Sequence, residues 1–288
     1  MRCTMSERAQ LAGTQSLERA IALLRLVAGH AGRGARLIDL TQHSRLSKPT
    51  VHRLLRGLER QGLVEQDRLS ERYHLGPEAF VIGSLAADRY GVHRAALPSL
   101  FRLAQASEDT AFLSVRRGWH VVCLHREEGP FPIRSHVLQA GDRHPLGVGA
   151  GSLAILATLP DDEIEEMIAA CAAEFAEERY RSFTPDILRA SVTRTRAEGF
   201  AFNPGHLTAG SWGVGVAILD RQGRCEGALS IAAIDGRLGD ARRPQIAALL
   251  AAEAKRVSEL LARPSGATNI AATLRRPAAH TMRKQNHD

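Results

Sequence analysis

At 288 residues, 44% apolar and 24% charged, the chain is long enough for two domains with separate cores, and its composition excludes a disordered or fibrous protein. Its longest apolar runs, such as residues 246–252, cannot span a bilayer. The N-terminal MRCTMSERAQ lacks a signal-peptide core, and four scattered cysteines (Cys3, Cys123, Cys171, Cys225) form neither a CxxC pair nor a disulfide framework. A cytoplasmic protein with no membrane partner is the expectation. The net charge of +7 is unevenly spread. Residues 1–76 hold 13 Lys+Arg against 7 Asp+Glu, residues 77–262 hold 20 against 23, and residues 263–288 hold 5 against 1. A basic module beside a slightly acidic one fits a DNA-binding domain joined to a ligand-binding domain.

Residues 1–15 have no periodicity and read as a flexible arm. Ser16 is expected to open a helix over 16–29, with Leu17, Ala20, Leu24 and Val27 on one face. A glycine-containing loop over 30–35 leads to a short helix over 36–43, with Leu37 and Leu40 on one side. A three-residue connection then places Leu46 between that helix and the next. The helix over 47–61 has a marked start: Ser47 can cap it, and Pro49 sits where its missing N–H costs nothing. Val51, Leu54, Leu55 and Leu58 form one apolar stripe. Pro49, His52, Arg53, Arg56 and Arg60 fall on the other side, and Gly62 stops the helix. Alone, such a helix also fits a solvated surface face. Its neighbours argue otherwise. Helix, short helix, tight turn and longer basic helix is the helix-turn-helix order, whose second helix reads the major groove. A hairpin over 63–66 and 72–75, turning at 67–71, would be a wing beside the groove.

Pro77 then starts a linker helix, residues 77–91, whose apolar Val81, Ile82, Leu85 and Ala86 make it a candidate dimer contact. From 92 to 262 the pattern is α+β. An amphipathic segment over 93–107 contains Pro98, where the helix proper is expected to start. Strands are expected at 110–115 and 120–126, joined at Arg117-Gly118, and at 133–137. The run Gly147, Gly149, Gly151 leads into a helix over 152–159. Further helices start at Pro160-Asp161 and at Thr184-Pro185-Asp186, the latter running to Gly199. Strands over 200–203, 212–219 and 225–233 follow, then a final helix over 240–262. Residues 263–288 read as a disordered basic tail.

The runs SLERAIALL, LIDLTQHSRLSKPTVHRLLRGLERQGLVEQD and RYHLG resemble the winged helix-turn-helix of IclR-type bacterial transcriptional regulators. AGDRHPLGVGAGSLAILATLP, AEGFAFNPGHLTAGSWGVGVAILDRQGRCEGALSIA and the closing Ala-rich helix are similar to the effector domain of that family. The resemblance spans residues 16–262. It implies an α+β chain: a winged helix-turn-helix over 16–76, the linker helix, and a GAF-like domain over 92–262 with an antiparallel sheet flanked by helices. It further implies a pocket for a small organic acid, and dimers or tetramers that bind palindromic double-stranded DNA operators. No cofactor or metal is implied. Four positions depart from the family pattern. Ser152-Leu153 replaces the usual Gly-Lys, Asn203 stands where an acidic residue is frequent, Gly213 where some members have cysteine, and Arg45 at a turn position that is often glycine. The last should strain the turn.

For DNA the candidates are Ser47, Lys48, Pro49, Thr50, His52, Arg53 and Arg56, with Arg68 and Arg72 on the wing. Arg53 is the candidate for a base edge, because a guanidinium pairs bidentately with guanine. Lys48, Thr50, Arg56 and the wing arginines suit phosphates, which position without specifying, and Arg60 lies further from the helix start. The pocket positions that the resemblance carries over are Leu146, Ala150, Gly151, Asn203, Ser211, Gly213, Ser230 and Ala232. A carboxylate would be held by the N–H groups of Ala150 and Gly151 and the hydroxyl of Ser230, although these small residues also suit tight helix–sheet packing. The glycine run meets the looser dinucleotide pattern from Gly149 to Ala154, but DRHPL before it is no buried strand, so that reading is rejected. Cys123 and His125 would share a strand face. Patterns for catalysis are missing: there is no HExxH, GxSxG or P-loop. Two competing classes remain, a small-molecule enzyme with a vestigial DNA-binding domain and a non-specific architectural DNA binder.

Overall fold

The computed structural model describes residues 14–30, 33–87, 91–133 and 138–262. The expected tail, most of the expected arm and residues 134–137 of the expected strand lie outside them, and Ile133 sits in a bend. Helices α1 (Gln15–Gly29), α2 (Leu37–Ser44) and α3 (Lys48–Arg60) pack around Leu23, Val27, Leu40, Val51, Leu55 and Leu58. The hairpin β1 (Val64–Gln66) and β2 (Tyr73–Leu75) closes this core with Val64 and Tyr73. Helix α1 begins after Thr14, not at Ser16. Its inward face is Ala20, Leu23, Leu24 and Val27, while Leu17 is 63% exposed, because Leu17 lies a full turn beyond the end of the neighbouring core.

Ser47 takes the extended N-cap conformation of α3, but its hydroxyl meets Thr50 Oγ1 at 2.9 Å instead of capping a backbone N–H. Leu46 is half-buried against the core. The turn before it holds Arg45 in the left-handed region, at φ 55°, a strain of about 1 kcal/mol or more for a residue with a side chain. In the wing, Asp67 Oδ1 accepts from the N–H groups of Leu69 and Ser70 at 3.2 and 2.7 Å and fixes the turn.

Helix α4 (Pro77–Ala87) is followed by α5 (Gly91–Ser107). Pro98 lies within α5, not at its start. Burial of Val92 and Ala96 upstream holds the first turn in place despite the missing N–H. The six-stranded sheet runs β5 (Arg143–Pro145), β4 (His120–Glu127), β3 (Thr110–Arg117), β8 (Cys225–Ile234), β7 (Ser211–Leu219), β6 (Ala201–Asn203), with every neighbouring pair antiparallel. The stretch read as no buried strand contributes a partly exposed edge strand. It is three residues long and antiparallel, unlike the buried parallel strand a dinucleotide fold requires.

One face of the sheet is covered by α5 and α10 (Arg242–Leu261), with Leu100, Leu103, Leu113, Ile231, Leu250 and Val257 between them. The other carries α6 (Ala150–Leu156), α7 (Asp161–Ala170), the unforeseen short α8 (Ala172–Phe175) and α9 (Pro185–Glu198), packed around Leu146, Ile155, Met167, Tyr180 and Leu188. Thr184 caps α9 through the Ile187 N–H, and Gly199 ends it in the left-handed conformation, both as expected. Helix α6 starts at Ala150, two residues before the expected position.

A buried ion cluster ties the α5–β3 corner to the β8–α10 corner. The Asp109 side chain, 2% exposed, lies 2.9 Å from Arg237 Nε and 3.0 Å from Arg242 Nη2. Arg237 also stacks its guanidinium 3.7 Å over the ring of Phe131. Asp109→Ala would leave partly buried Arg242 without a carboxylate and Arg237 with only the exposed Glu108 at 3.2 Å, and a loss of about 3 kcal/mol is expected. Urea denaturation followed by circular dichroism checks this.

Candidate functional site

The first surface is the outer side of α3. Burial of Val51, Leu55 and Leu58 turns the opposite side outward, and Ser47, Lys48, Pro49, His52, Arg53, Arg56 and Arg60 are all exposed. Thr50 is half-buried. His52, Arg53, Arg56 and Arg60 border one shallow depression with Glu59, which lies 3.8 Å from Arg56. The two wing arginines differ. Arg68 is exposed in the turn, whereas Arg72 folds back and donates to the carbonyls of Gly34 and Arg33 at 3.0 and 3.3 Å. Arg72 therefore pins the wing to the loop after α1, a tertiary contact that its place in the sequence does not reveal.

The second is a partly open cavity between α6 and the sheet, whose empty space, mouth included, is about 600 Å³. Its walls include seven of the eight expected pocket residues: Ala150 and Gly151 from α6, Asn203 from β6, Ser211 and Gly213 from β7, and Ser230 and Ala232 from β8. Leu146 is not among them. It is fully buried in the core behind α6, and His144, two residues earlier, lines the cavity instead. The strand ends at Pro145, so its alternation, which faces His144 to the cavity, does not carry on to Leu146.

Glycines set the geometry. A β-carbon on Gly215 would come within 2.5 Å of the Ala150 carbonyl oxygen, so only glycine lets α6 lie this close to β7. A β-carbon on Gly151 would stand 3.0 Å from Ser230 Oγ and 3.5 Å from Ser114 Oγ. Two buried strand hydroxyls thus face the first turn of α6, where backbone N–H groups have no carbonyl ahead of them. Ser152 accepts from the Gly147 N–H at 2.9 Å and holds the loop before the helix, while Leu153 is buried in the core. These are the two positions where the family pattern has Gly-Lys. Asn203 Oδ1 accepts from the His206 N–H at 3.0 Å, which leaves its amide nitrogen as the polar end toward the cavity. No lysine or arginine occurs among the described lining residues.

The sequence reading missed Ser114, Cys123, Asp142 and His144. Ser114 was legible in principle, as a serine in an apolar strand, two residues from Phe112 and on the same face. The other expectation for β4 fails. Pairing jumps from Leu113↔His125 to Ser114↔Cys123, so the bulge at Leu124 flips His125 to the other face, where its ring packs 5.5 Å from His93 of α5. Burial, aided by the Asp142 carboxylate, pushes the Cys123 thiol up to about 12, a protonated wall group. Elsewhere, donor atoms of His120, Cys171 and Glu174 lie within 4.8 Å of one another. His120 Nε2 is already bonded to the Glu174 carboxylate at 3.0 Å, and burial raises the Cys171 thiol to about 11.

His144 has the most informative titration. Burial, chiefly, holds its imidazole below the ordinary value of 6.5, with Asp142 opposing and Arg179 and His120 assisting. The folded state favours the neutral ring, so this share of stability is complete above about pH 6.5 and is lost as pH falls through the lowered value. His93 and His206 shift the same way through burial. Between about pH 7.5 and about pH 5.5 the melting temperature of His144→Gln should therefore fall less than that of the wild type. Equal falls would show that His144 is not held neutral.

An amphipathic basic helix on a winged three-helix core, joined to a sheet domain with a partly open cavity, defines a ligand-responsive DNA-binding protein. The comparisons agree. Residues 16–68 match the IclR helix-turn-helix domain, and residues 84–259 match the C-terminal domain of bacterial transcriptional regulators of the IclR type. The chain belongs to the IclR family and is a DNA-binding transcriptional regulator. It is 30% identical over 233 residues to the HTH-type transcriptional regulator BhcR of Paracoccus denitrificans, covering 80% of this chain and 81% of that one. To the glycerol operon regulatory protein of Streptomyces coelicolor it is 32% identical over 244 residues, 82% and 92% of the two chains. Among solved structures, an IclR regulator from Alicyclobacillus acidocaldarius superposes with a TM-score of 0.66 at 25% identity, covering 85% and 97%. An IclR homologue from Microbacterium hydrocarbonoxydans, in complex with 4-hydroxybenzoate, superposes with a TM-score of 0.65 at 20% identity, covering 85% and 98%.

Proposed function

We propose that this regulator reads a palindromic operator with α3 and is controlled by a small organic acid held in the cavity under α6. One observation carries the second half of this reading: two buried serine hydroxyls, Ser230 and Ser114, face the first turn of α6 across Gly151. A carboxylate there accepts from the N–H groups of Ala150 and Gly151 and from Ser230, hydrogen bonds strengthened by its charge. The 4-hydroxybenzoate held by the homologue from Microbacterium hydrocarbonoxydans is an acid of the same class.

On the DNA side, Arg53 reads a base edge. Ser47, Lys48, Pro49, Thr50, His52 and Arg56 line the rest of the groove contact, and Arg68 meets a phosphate from the wing. Arg72 supports the wing first and reaches DNA only after exchanging its backbone partners. The division of the chain is an arm over 1–15, a DNA-binding domain over 16–76, a linker over 77–91, an effector domain over 92–262 and a basic tail over 263–288. The protein acts in the cytoplasm as a homodimer or homotetramer and catalyses no reaction. Support for self-association comes from α4, which exposes Phe80, Val81, Ile82 and Leu85 at 45–76%, more apolar surface than a solitary helix ordinarily shows water. Ligand binding would bias dimer arrangements whose recognition helices do or do not match successive major grooves.

Salt-dependent binding to a palindrome that a carboxylic acid relieves or enhances tests the whole reading. Turnover of the acid would make the protein an enzyme, and equal affinity for random DNA would make it architectural. Arg53→Ala should cost about 1–3 kcal/mol on the operator and flatten its sequence preference. Arg68→Ala should weaken operator and random DNA alike and lower the salt slope by about one. Fluorescence anisotropy at several salt concentrations separates the two. Ser230→Ala should weaken binding of whichever acid in a carboxylic acid panel raises the melting temperature, and unchanged affinity by calorimetry would remove Ser230 from the site.

A further inference from the structure

The cavity has a second polar end. Across its floor, in strand order, lie Asn203, Gly213, Ser230, Ser114, Cys123 and His144. His144 sits on the edge strand β5, and Asp142 lies just before it on the same wall. Nδ1 of His144 is bonded to the Tyr180 hydroxyl at 2.8 Å. Nε2, the other nitrogen, is buried and has no hydrogen-bond partner among the described residues. A buried polar atom left unpaired is costly, and on a cavity wall it marks where a ligand atom belongs.

The protein fixes what that atom must be. Burial raises the phenol of Tyr180, so it keeps its proton. A phenol is a strong donor and a poor acceptor, whereas an unprotonated imidazole nitrogen accepts well. Tyr180 therefore donates to Nδ1, which leaves the ring proton on Nε2, a buried donor without a partner among the described residues, on a side chain that lines the cavity. Asp142 lines the same wall and its field acts on the imidazole; its Oδ2 accepts from the Gln139 N–H at 2.6 Å, and Oδ1 remains as acceptor. A ligand carbonyl would satisfy Nε2–H but give Asp142 nothing. A second carboxylate would be repelled, and an ammonium group would leave Nε2–H unpaired. A hydroxyl satisfies both, accepting from Nε2–H and donating to the carboxylate.

We propose that His144 and Asp142 form a hydroxyl-recognition subsite, so that the effector is a hydroxycarboxylic acid with its hydroxyl across an apolar ring or chain from its carboxylate. This rests on the reading of the Gly151–Ser230 end as the carboxylate site. From β8 to β5 is three strand spacings, about 14 Å on a flat sheet and less on a curled one. Hydrogen bonds of about 2.8 Å at each end leave roughly 6–8 Å for the ligand, too much for a two- or three-carbon acid. Phe112, Val121, Leu138 and Val148 supply apolar walls between the two ends.

Calorimetric titration of the full chain with benzoate and 4-hydroxybenzoate, and with hexanoate and 6-hydroxyhexanoate, tests the subsite. In the wild type the hydroxyl should tighten binding about tenfold or more in at least one pair. His144→Leu should bring that hydroxy acid to within about twofold of its parent, with an unchanged circular dichroism spectrum and a cooperative melting transition showing that the variant is folded. His144→Gln, which keeps an amide donor, should restore part of the preference. If His144→Leu does not fold, Tyr180→Phe, which frees the tautomer, should lose part of the preference, and full retention there overturns the proposal. Parent acids that bind without any gain from the hydroxyl, or a gain that survives His144→Leu, overturn the subsite and leave the carboxylate site standing. Failure of all four acids to bind also overturns the subsite. The carboxylic acid panel and Ser230→Ala then judge the carboxylate site separately.

Discussion

The effector domain depends on one close approach, the backbone of α6 laid almost directly on the backbone of β7. A side chain at Gly215 would fill that gap, at 2.5 Å from the Ala150 carbonyl. With glycine there, the first turn of the helix sinks to the level of the strand hydroxyls, and Gly151 comes between Ser230 and Ser114. The loop before the helix is then short of room, and Ser152 ties it down through the Gly147 N–H. Further along the same face the floor is lined by larger residues, among them Phe112 and Val121, and the sheet leaves a partly open space. A cavity of this kind is a by-product of contact at one end, which is why its walls mix the smallest residues with aromatic ones.

Much of this was legible beforehand, and the failures share a cause. The α3 stripe, the turn ending at Leu46, the Thr184 cap and the Gly199 stop are local features, fixed by residues within one or two turns of each other. They emerge from the sequence with small errors at the ends. Leu17, Leu146 and His125 went wrong because their burial or facing depends on partners far away in the chain. A neighbouring core falls short of Leu17, a three-residue edge strand turns His144 and not Leu146 to the cavity, and a bulge between Leu113 and Ser114 pairings reverses His125. Seven of the eight pocket positions lined the cavity through family resemblance. The end at His144 was invisible because it is assembled from β5, Tyr180 and Asp142, three pieces that no spacing rule joins.

The DNA-binding domain shows how position in the sequence and availability can diverge. Arg68 and Arg72 belong to the same hairpin and looked equivalent. One is free in a turn shaped by Asp67, and the other is engaged with two carbonyls of the loop after α1. The Ala35–Tyr73 bridge adds main-chain bonds of 2.8 and 2.9 Å between the same loop and hairpin. The wing is therefore held to the three-helix core at its base and exposed at its tip, where the Asp67 turn shapes it, an arrangement that fixes the direction in which Arg68 is presented.

The absence of lysine and arginine from the described cavity wall bears on how the protein can keep time with its surroundings. A buried carboxylate gives up strong hydration, and neutral donors return only part of it. For an acid held as proposed, with no guanidinium among the described wall residues, occupancy would depend on neutral donors alone, an arrangement that favours exchange over long residence. Such a site fills and empties as the concentration of its acid rises and falls. A salt-bridged site would hold its ligand long after the supply had ended, and a regulator built that way would remember where this one reports.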